Sequence, residues 1–228
     1  MSVDSAPRSG GDPAARILIA AKAPLPGRAK TRLTPPLPAP LAARLAEAFL
    51  TDVLAAARAV DPGAGLLCRA SDAAALRRRF EGVPLVIQTG RGLTGALTSG
   101  LRTGALVVAG DVPGIRPEVL RRAARTGAGI VLAPSRDGGF SLIGMRPFVP
   151  RVLDGIRWST GSVLDQALAA GRAAGLPVTL LDPVADVDSA ADLAALDLTW
   201  APATRSALEA AGPAADVLQA HRDRAGRM

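Results

Sequence analysis

Seven short apolar runs alternate with amphipathic stretches through most of this chain, and no other feature narrows its fold as much. The runs occupy residues 17–21, 66–68, 85–88, 105–109, 130–133, 141–145 and 178–181. Between them, apolar side chains recur at helical spacing over residues 41–59, 72–80, 93–101, 117–125, 159–174 and 190–196. In the first of these, Leu41, Leu45, Ala48, Phe49, Asp52 and Val53 trace one face, which predicts a helix lying on a sheet. Strands alternating with helices imply βαβ units, since parallel neighbours are joined only by crossovers. The expected fold is therefore α/β, with three αβα layers around a mostly parallel, twisted sheet. Asp137-Gly138-Gly139 is a turn signal between two strands, so a short antiparallel element should interrupt the parallel order.

At 228 residues, 49% of them apolar, the chain suits one domain with a substantial core, placed here at residues 17–198. Residues 1–16 are polar and rich in Pro, Gly and Ser. They read as a disordered leader without the apolar stretch of a secretory signal. Residues 199–228 read as a helical C-terminal tail that carries His221, the chain's one histidine, and no chemistry. No apolar run approaches the length of a membrane span, so the expectation is a cytoplasmic protein with no membrane partner. Cys68 has no second cysteine to pair with and suits a small buried hydrophobe in a strand. The net charge of +7 raises nucleic acid as a partner. Against it, the arginines are scattered, aromatic content is 3%, and no stacking platform or zinc pattern is present. An anionic small molecule accounts for the charge at least as well.

Both lysines, Lys22 and Lys30, fall in ILIAAKAPLPGRAKTRL, residues 17–33, whereas the other 25 basic residues are arginine. Retaining lysine there marks places where a compact, flexible ammonium matters more than a planar fork. The first apolar run empties into a loop punctuated by Pro26 and Gly27. That is the layout of a strand delivering a loop to the carboxyl edge of the sheet, where open α/β folds bind ligands. Lys22, Arg28, Lys30 and Arg32 on one loop match a polyphosphate, with a solvated basic loop as the plain alternative.

Further polar segments fall at strand ends and helix starts. Asp111, in Gly110-Asp111-Val112-Pro113, follows the most uninterrupted apolar run and suits a hard divalent cation such as magnesium; a turn or helix cap would also use it. Gly110 before it allows close approach of a ligand. Arg136, Asp137, Gly138 and Gly139 offer charge and bare backbone N–H groups to an acceptor, although a tight hairpin also uses Asp-Gly. Asp186 and Asp188 flank Val187 and would share a face of an extended segment. Ser189 suits the cap of the next helix and either Asp188 or Asp192 its positive end, which accounts for one aspartate and leaves the other free for a metal. Trp158-Ser159-Thr160 opens a predicted helix with hydroxyls, fit either for an anion or for a cap with a tryptophan staple. Gly92 and Gly95 carry backbone suited to a nucleotide base.

Taken in order, A-K-A-P-L-P-G-R-A-K-T-R-L, G-D-V-P, R-D-G-G-F-S-L-I-G, W-S-T and D-V-D-S-A-A-D-L resemble a bacterial family of uncertain function described as glycosyltransferase-A-like transferases. That family is similar to the molybdenum-cofactor nucleotidyltransferases and phospholactate guanylyltransferase, and the resemblance covers residues 17–196. It implies a nucleotide-diphospho-sugar transferase fold, with Lys30 and Arg32 on the triphosphate, Asp111 and Asp188 on magnesium, and Asp137, Gly138 and Gly139 toward the acceptor. Two departures stand out. The D-x-D of the glycosyltransferases is replaced by Gly110-Asp111-Val112-Pro113, and the pyrophosphorylase loop G-G-x-G-T-R is absent.

The expected activity is magnesium-dependent nucleotidyl transfer from a nucleoside triphosphate to a small phosphorylated or anionic acceptor. Glycosyl transfer from a nucleotide sugar is the runner-up, and a non-catalytic nucleotide-binding module the third reading. The catalytic set would be Lys30, Arg32 and Asp111. Lys22, Pro26, Gly27, Arg28, Gly92 and Gly110 would complete the nucleotide site. Arg136, Asp137, Gly138, Gly139, Trp158, Ser159 and Thr160 would hold the acceptor, in a monomer or homodimer.

Overall fold

The structure, a computed structural model, describes residues 16–213 and residue 215. All seven apolar runs are strands: β1 (Ile17–Ala20), β2 (Gly65–Cys68), β3 (Leu85–Ile87), β4 (Leu106–Ala109), β5 (Gly129–Pro134), β6 (Phe140–Arg146) and β7 (Val178–Leu180). They form one sheet in the order β3-β2-β1-β4-β6-β5-β7. β6 runs antiparallel to both β4 and β5, while every other pair is parallel. The reversal follows the Asp137-Gly138-Gly139 turn, as expected.

The helices are α1 (Ala39–Arg58), α2 (Ala70–Arg79), α3 (Gly92–Leu101), α4 (Pro117–Arg125), α5 (Val163–Ala173), α6 (Ala190–Ala194) and α7 (Pro202–Glu209). Alternation along the strands sorts them into layers. Ile17 and Ile19 of β1 pack with apolar residues of α1, α2 and α4 on one face. Leu18, between them, joins Leu67 and Val107 against α3 and α5 on the other. Cys68 is 1% exposed within the first of these layers, and burial pushes its thiol up.

A third apolar cluster lies at the carboxyl edge of the sheet. Leu33 from the loop after β1 and Val187, Ala190 and Leu193 from the segment around α6 pack on Leu41, Leu45 and Phe49 of α1. It draws together two stretches of chain more than 150 residues apart, and both carry charge. Hydrophobic burial is non-directional, so finer placement falls to hydrogen bonds, described below.

One buried carboxylate holds the last helix. Asp52 of α1 is 3% exposed and accepts from the N–H groups of Ala203 (2.8 Å) and Thr204 (2.9 Å) and from Thr204 Oγ1 (2.6 Å). It caps the start of α7 from across the structure, satisfying orphan donors of the first turn. Burial pushes the Asp52 carboxyl up, against the pull of those hydrogen bonds. Asp52 therefore lies on the buried face of α1 without being a packing error. Residues 1–15 of the expected leader, and His221, lie outside the described residues. No helix among those described is long and apolar enough to cross a membrane. Replacing Asp52 by Ala leaves three donors without a partner, and should lower the unfolding free energy by about 2–4 kcal/mol in urea titration.

Candidate active site

The loop leaving β1 folds back over the sheet edge through a left-handed residue, Lys30 (φ 48°, ψ 44°), followed by a single 3-10 turn at Thr31–Leu33. This conformation costs a residue with a Cβ about 1–2 kcal/mol, and it persists where the surroundings over-determine it. Leu33 is fully buried, which anchors the turn. The Lys30 side chain then reaches Asp111 Oδ2 at 2.8 Å and Asp188 Oδ1 at 2.7 Å. Three residues from distant parts of the sequence thus meet at one point.

Asp111 follows β4, and Asp188 is held beside it by the backbone. The Val187 N–H donates to the Asp111 carbonyl at 2.9 Å, and the Val187 side chain is 1% exposed within the third cluster. Ser189 and Asp192 form a capping box at the start of α6, so neither Asp186 nor Asp188 is consumed as a cap. Burial works to lower the Lys30 ammonium. The charges and hydrogen bonds of Asp111 and Asp188 outweigh it, and the net direction is up. Arg32 reaches Asp188 Oδ2 at 3.3 Å, but its side chain is 78% exposed against 13% for Lys30. Solvent screens the arginine's contribution and spares the lysine's.

Two clefts open on either side of these carboxylates, and Ala20, Gly110, Asp111 and Asp188 line both. The first, about 280 Å³, presents Lys22, Arg28, Lys30 and Arg32. The second, about 360 Å³, has Leu93, Leu97, Phe140 and Trp158 as apolar lining and Ser159, Thr160, Asp137 and Asp186 as its polar groups. Asp186, assigned no role in the sequence reading, belongs here. Its carboxyl is pushed up by burial and by the charges of Asp111, Asp137 and Asp188. The alternation around Val187 places it on one face with Asp188, and both line this cleft.

Other expected site residues fall differently. Pro26 and Gly27 are exposed in the loop and line neither cleft. Gly92 opens α3 beside a separate cleft with Arg69, Ser71 and Arg91. Gly110 is required by the protein itself, since a Cβ there would stand 2.6 Å from the Ala20 carbonyl oxygen and from Leu50 Cδ2. Arg136, expected to meet an anionic acceptor, lines a third cleft with Asp182 and Asp192 and is absent from the lining beside Trp158. Helix α5 starts at Val163, four residues later than expected, because Ser159 takes φ 62° and breaks the helical path. The Ser159 and Thr160 hydroxyls therefore sit in a turn ahead of the helix. Thr160 Oγ1 donates to the Arg157 carbonyl at 2.8 Å.

Glycine stitches that turn to the β5–β6 hairpin. Gly138 has φ 81°, and any Cβ on it would strike the Gly161 carbonyl. Its own carbonyl accepts from the Leu164 N–H at 2.9 Å. Asp137 Oδ1 accepts from the Gly139 N–H at 2.9 Å, which shapes the hairpin. The Trp158 ring meets Phe140 edge-on at 6.1 Å, and its indole N–H donates to Thr94 Oγ1 at 2.7 Å.

With this geometry in view, the chain can be set beside known proteins. Residues 50–160 match a family model described as "Uncharacterized protein conserved in bacteria (DUF2064)". That span contains Asp111, the hairpin and the Trp158 turn, and stops short of both Lys30 and Asp188. A Desulfovibrio desulfuricans G20 protein, provisionally described as a nucleotide-diphospho-sugar transferase, superposes with a TM-score of 0.81. It is 24% identical, and the match covers 91% of this chain and 97% of that one. The fold is that of the nucleotide-diphospho-sugar transferases. Rv0371c from Mycobacterium tuberculosis H37Rv reaches a TM-score of 0.50 at 23% identity, over 78% of this chain and 94% of that one. A nucleotidyl transferase from Methanothermobacter thermautotroptrophicus reaches 0.49 at 18% identity, over 80% and 94%. No curated protein matches the chain in sequence.

The Lys30 ammonium should be energetically coupled to the carboxylates it joins. A double-mutant cycle of Lys30→Met and Asp111→Asn, followed by chemical unfolding, should give a coupling of about 1–3 kcal/mol. Lys22→Met, at an exposed position, should change stability by less than about 0.5 kcal/mol.

Proposed function

We propose that this chain is a magnesium-dependent nucleotidyltransferase, moving a nucleoside monophosphate unit from a nucleoside triphosphate to a small acceptor with release of pyrophosphate. One observation carries the reading: a cleft with four cations and a cleft with an aromatic wall share the carboxylates Asp111 and Asp188. A reaction at the α-phosphorus needs that layout, with polyphosphate on one side of the reacting atom and the attacking group on the other.

The donor set suits magnesium, which is commonly held by one or two carboxylates with substrate phosphates and water completing its shell. Asp111 and Asp188 supply hard oxygens that already converge on one cation, the Lys30 ammonium. When bound, the metal would neutralise charge on the α-phosphate and draw electrons from phosphorus. The rest falls to the chain's own groups. Lys22, Arg28 and Arg32 bind the β- and γ-phosphates along the first cleft. Lys30, at the boundary, stabilises the negative charge gained by the departing pyrophosphate. Phe49 and Leu50 of α1, which also line this cleft, back it with apolar surface and limit the water around the phosphates.

Glycosyl transfer from a nucleotide sugar stays as a second reading because the carboxylates and hydroxyls beside Trp158 would also suit the sugar of such a donor. Incubation with radiolabelled triphosphates and, separately, with nucleotide sugars distinguishes the two, since only nucleotidyl transfer releases pyrophosphate. Lys30→Ala should cut that release by about a hundredfold or more while the protein stays folded by circular dichroism. Full activity in this variant would remove the loop from the mechanism.

A further inference from the structure

The cleft beside Trp158 differs in kind from its cationic neighbour. Among the described residues no lysine, arginine or histidine lines it, whereas Asp111, Asp137, Asp186 and Asp188 do. Asp111 and Asp188 are paired with Lys30, so Asp137 and Asp186 set the charge that a ligand meets inside. The rings of Phe140 and Trp158 line the same cleft, with Trp158 fixed in orientation by its bond to Thr94. Arg136, the cation nearest in sequence to Asp137, lines another cleft.

We propose that this cleft receives an uncharged, hydroxyl-rich ring, a sugar or cyclic polyol without a phosphate of its own. The proposal rests on the donor reading above, in which the cationic cleft is taken by polyphosphate and the acidic one is left to the second substrate. Carboxylates accept hydrogen bonds from hydroxyl groups, and the C–H face of such a ring packs on aromatic side chains. The volume of about 360 Å³ falls toward the small end of ligand clefts, at about 300–1,000 Å³. An anionic body would face the carboxylates of Asp137 and Asp186, and among the described residues no basic side chain lines the cleft to offset that repulsion. In transfer, a ring hydroxyl oxygen bonds to the α-phosphorus and the bond to the β-phosphate oxygen breaks. Pyrophosphate leaves with that electron pair, and the hydroxyl proton passes to water.

The test is titration calorimetry on the full chain with magnesium and a non-hydrolysable triphosphate analogue. The probes are myo-inositol, D-glucose and N-acetylglucosamine, set against inositol 1-phosphate and glucose 1-phosphate. At least one uncharged probe should bind, and its phosphorylated partner should bind at least about tenfold more weakly. Trp158→Ala should lose the sugar and keep the stabilisation given by the triphosphate analogue. If that variant does not fold, Thr160→Arg is used instead, and the added cation should shift preference toward the phosphorylated partner. A nucleoside diphosphate glucose arm identifies the source of the ring. Displacement of the analogue alone places the ring on a free acceptor and supports the transfer step; displacement of both analogue and sugar places the ring on the donor, which keeps the cleft's preference for a ring and overturns transfer to its hydroxyl. Tighter binding of the phosphorylated partner, or no binding by any uncharged probe, overturns the proposal. Absence of any response to the triphosphate analogue would instead defeat the donor reading, and sugar titration without analogue still interrogates the cleft.

Discussion

A single backbone hydrogen bond, from the Val187 N–H to the Asp111 carbonyl, sets the depth at which the late acidic segment meets the sheet edge. The Val187 side chain is driven inward by the same cluster that buries Leu33, and burial of an aliphatic side chain of this size is worth about 1.5–3 kcal/mol. Its neighbours Asp186 and Asp188 consequently lie along the clefts, beside Asp111. Gathering carboxylates is unfavourable in itself. The apolar contacts beneath offset that cost, and the Lys30 ammonium offsets more from above. The site is thus the exposed side of a small hydrophobic cluster, and its precision derives from packing as much as from charge.

That arrangement also sorts the molecule's electrostatics. The chain is basic, with a net charge of +7, yet the field at the sheet edge is divided. Cations gather on the loop after β1, and carboxylates on the segments after β4, β5 and β7. The division follows connectivity, because each side of the boundary is built from a different stretch of chain. Lys30 sits at the boundary, with its ammonium held on the acidic side by two short bonds. Its left-handed backbone is what turns a loop of otherwise outward-facing cations back toward the carboxylates.

Much of this was legible before any coordinates. Short apolar runs identified every strand among the described residues, and the meeting of Lys30, Asp111 and Asp188 was implied by resemblance together with their positions along the chain. What escaped has physical causes. Arg136 and Asp137 are adjacent in sequence, but successive residues of a hairpin turn point to different sides, and only Asp137 faces the apolar cleft. Gly110 looked like room for a ligand; β1 and α1 close its Cβ side, while the residue itself lines both clefts. The hydroxyls after Trp158 looked like a helix start, and the left-handed Ser159 delays it. Each miss concerns a direction in space, which linear patterning records poorly once a chain leaves regular structure.

The reversed strand has an effect of its own. In a parallel sheet each strand offers a ligand only its carboxyl end, and the chain must then travel the length of a helix to return. β6 begins where β5 ends, so one five-residue connection, 135–139, places the outgoing and incoming arms of a hairpin at the same rim. Phe140 and Ser141 are thereby supplied by an amino-terminal strand end, a position that faces away from the ligand in every other strand of the sheet. Doubling the chain back here lets two neighbouring strands share one short bridge, and concentrates in a few residues a surface that a uniformly parallel sheet would have to assemble from separate crossovers.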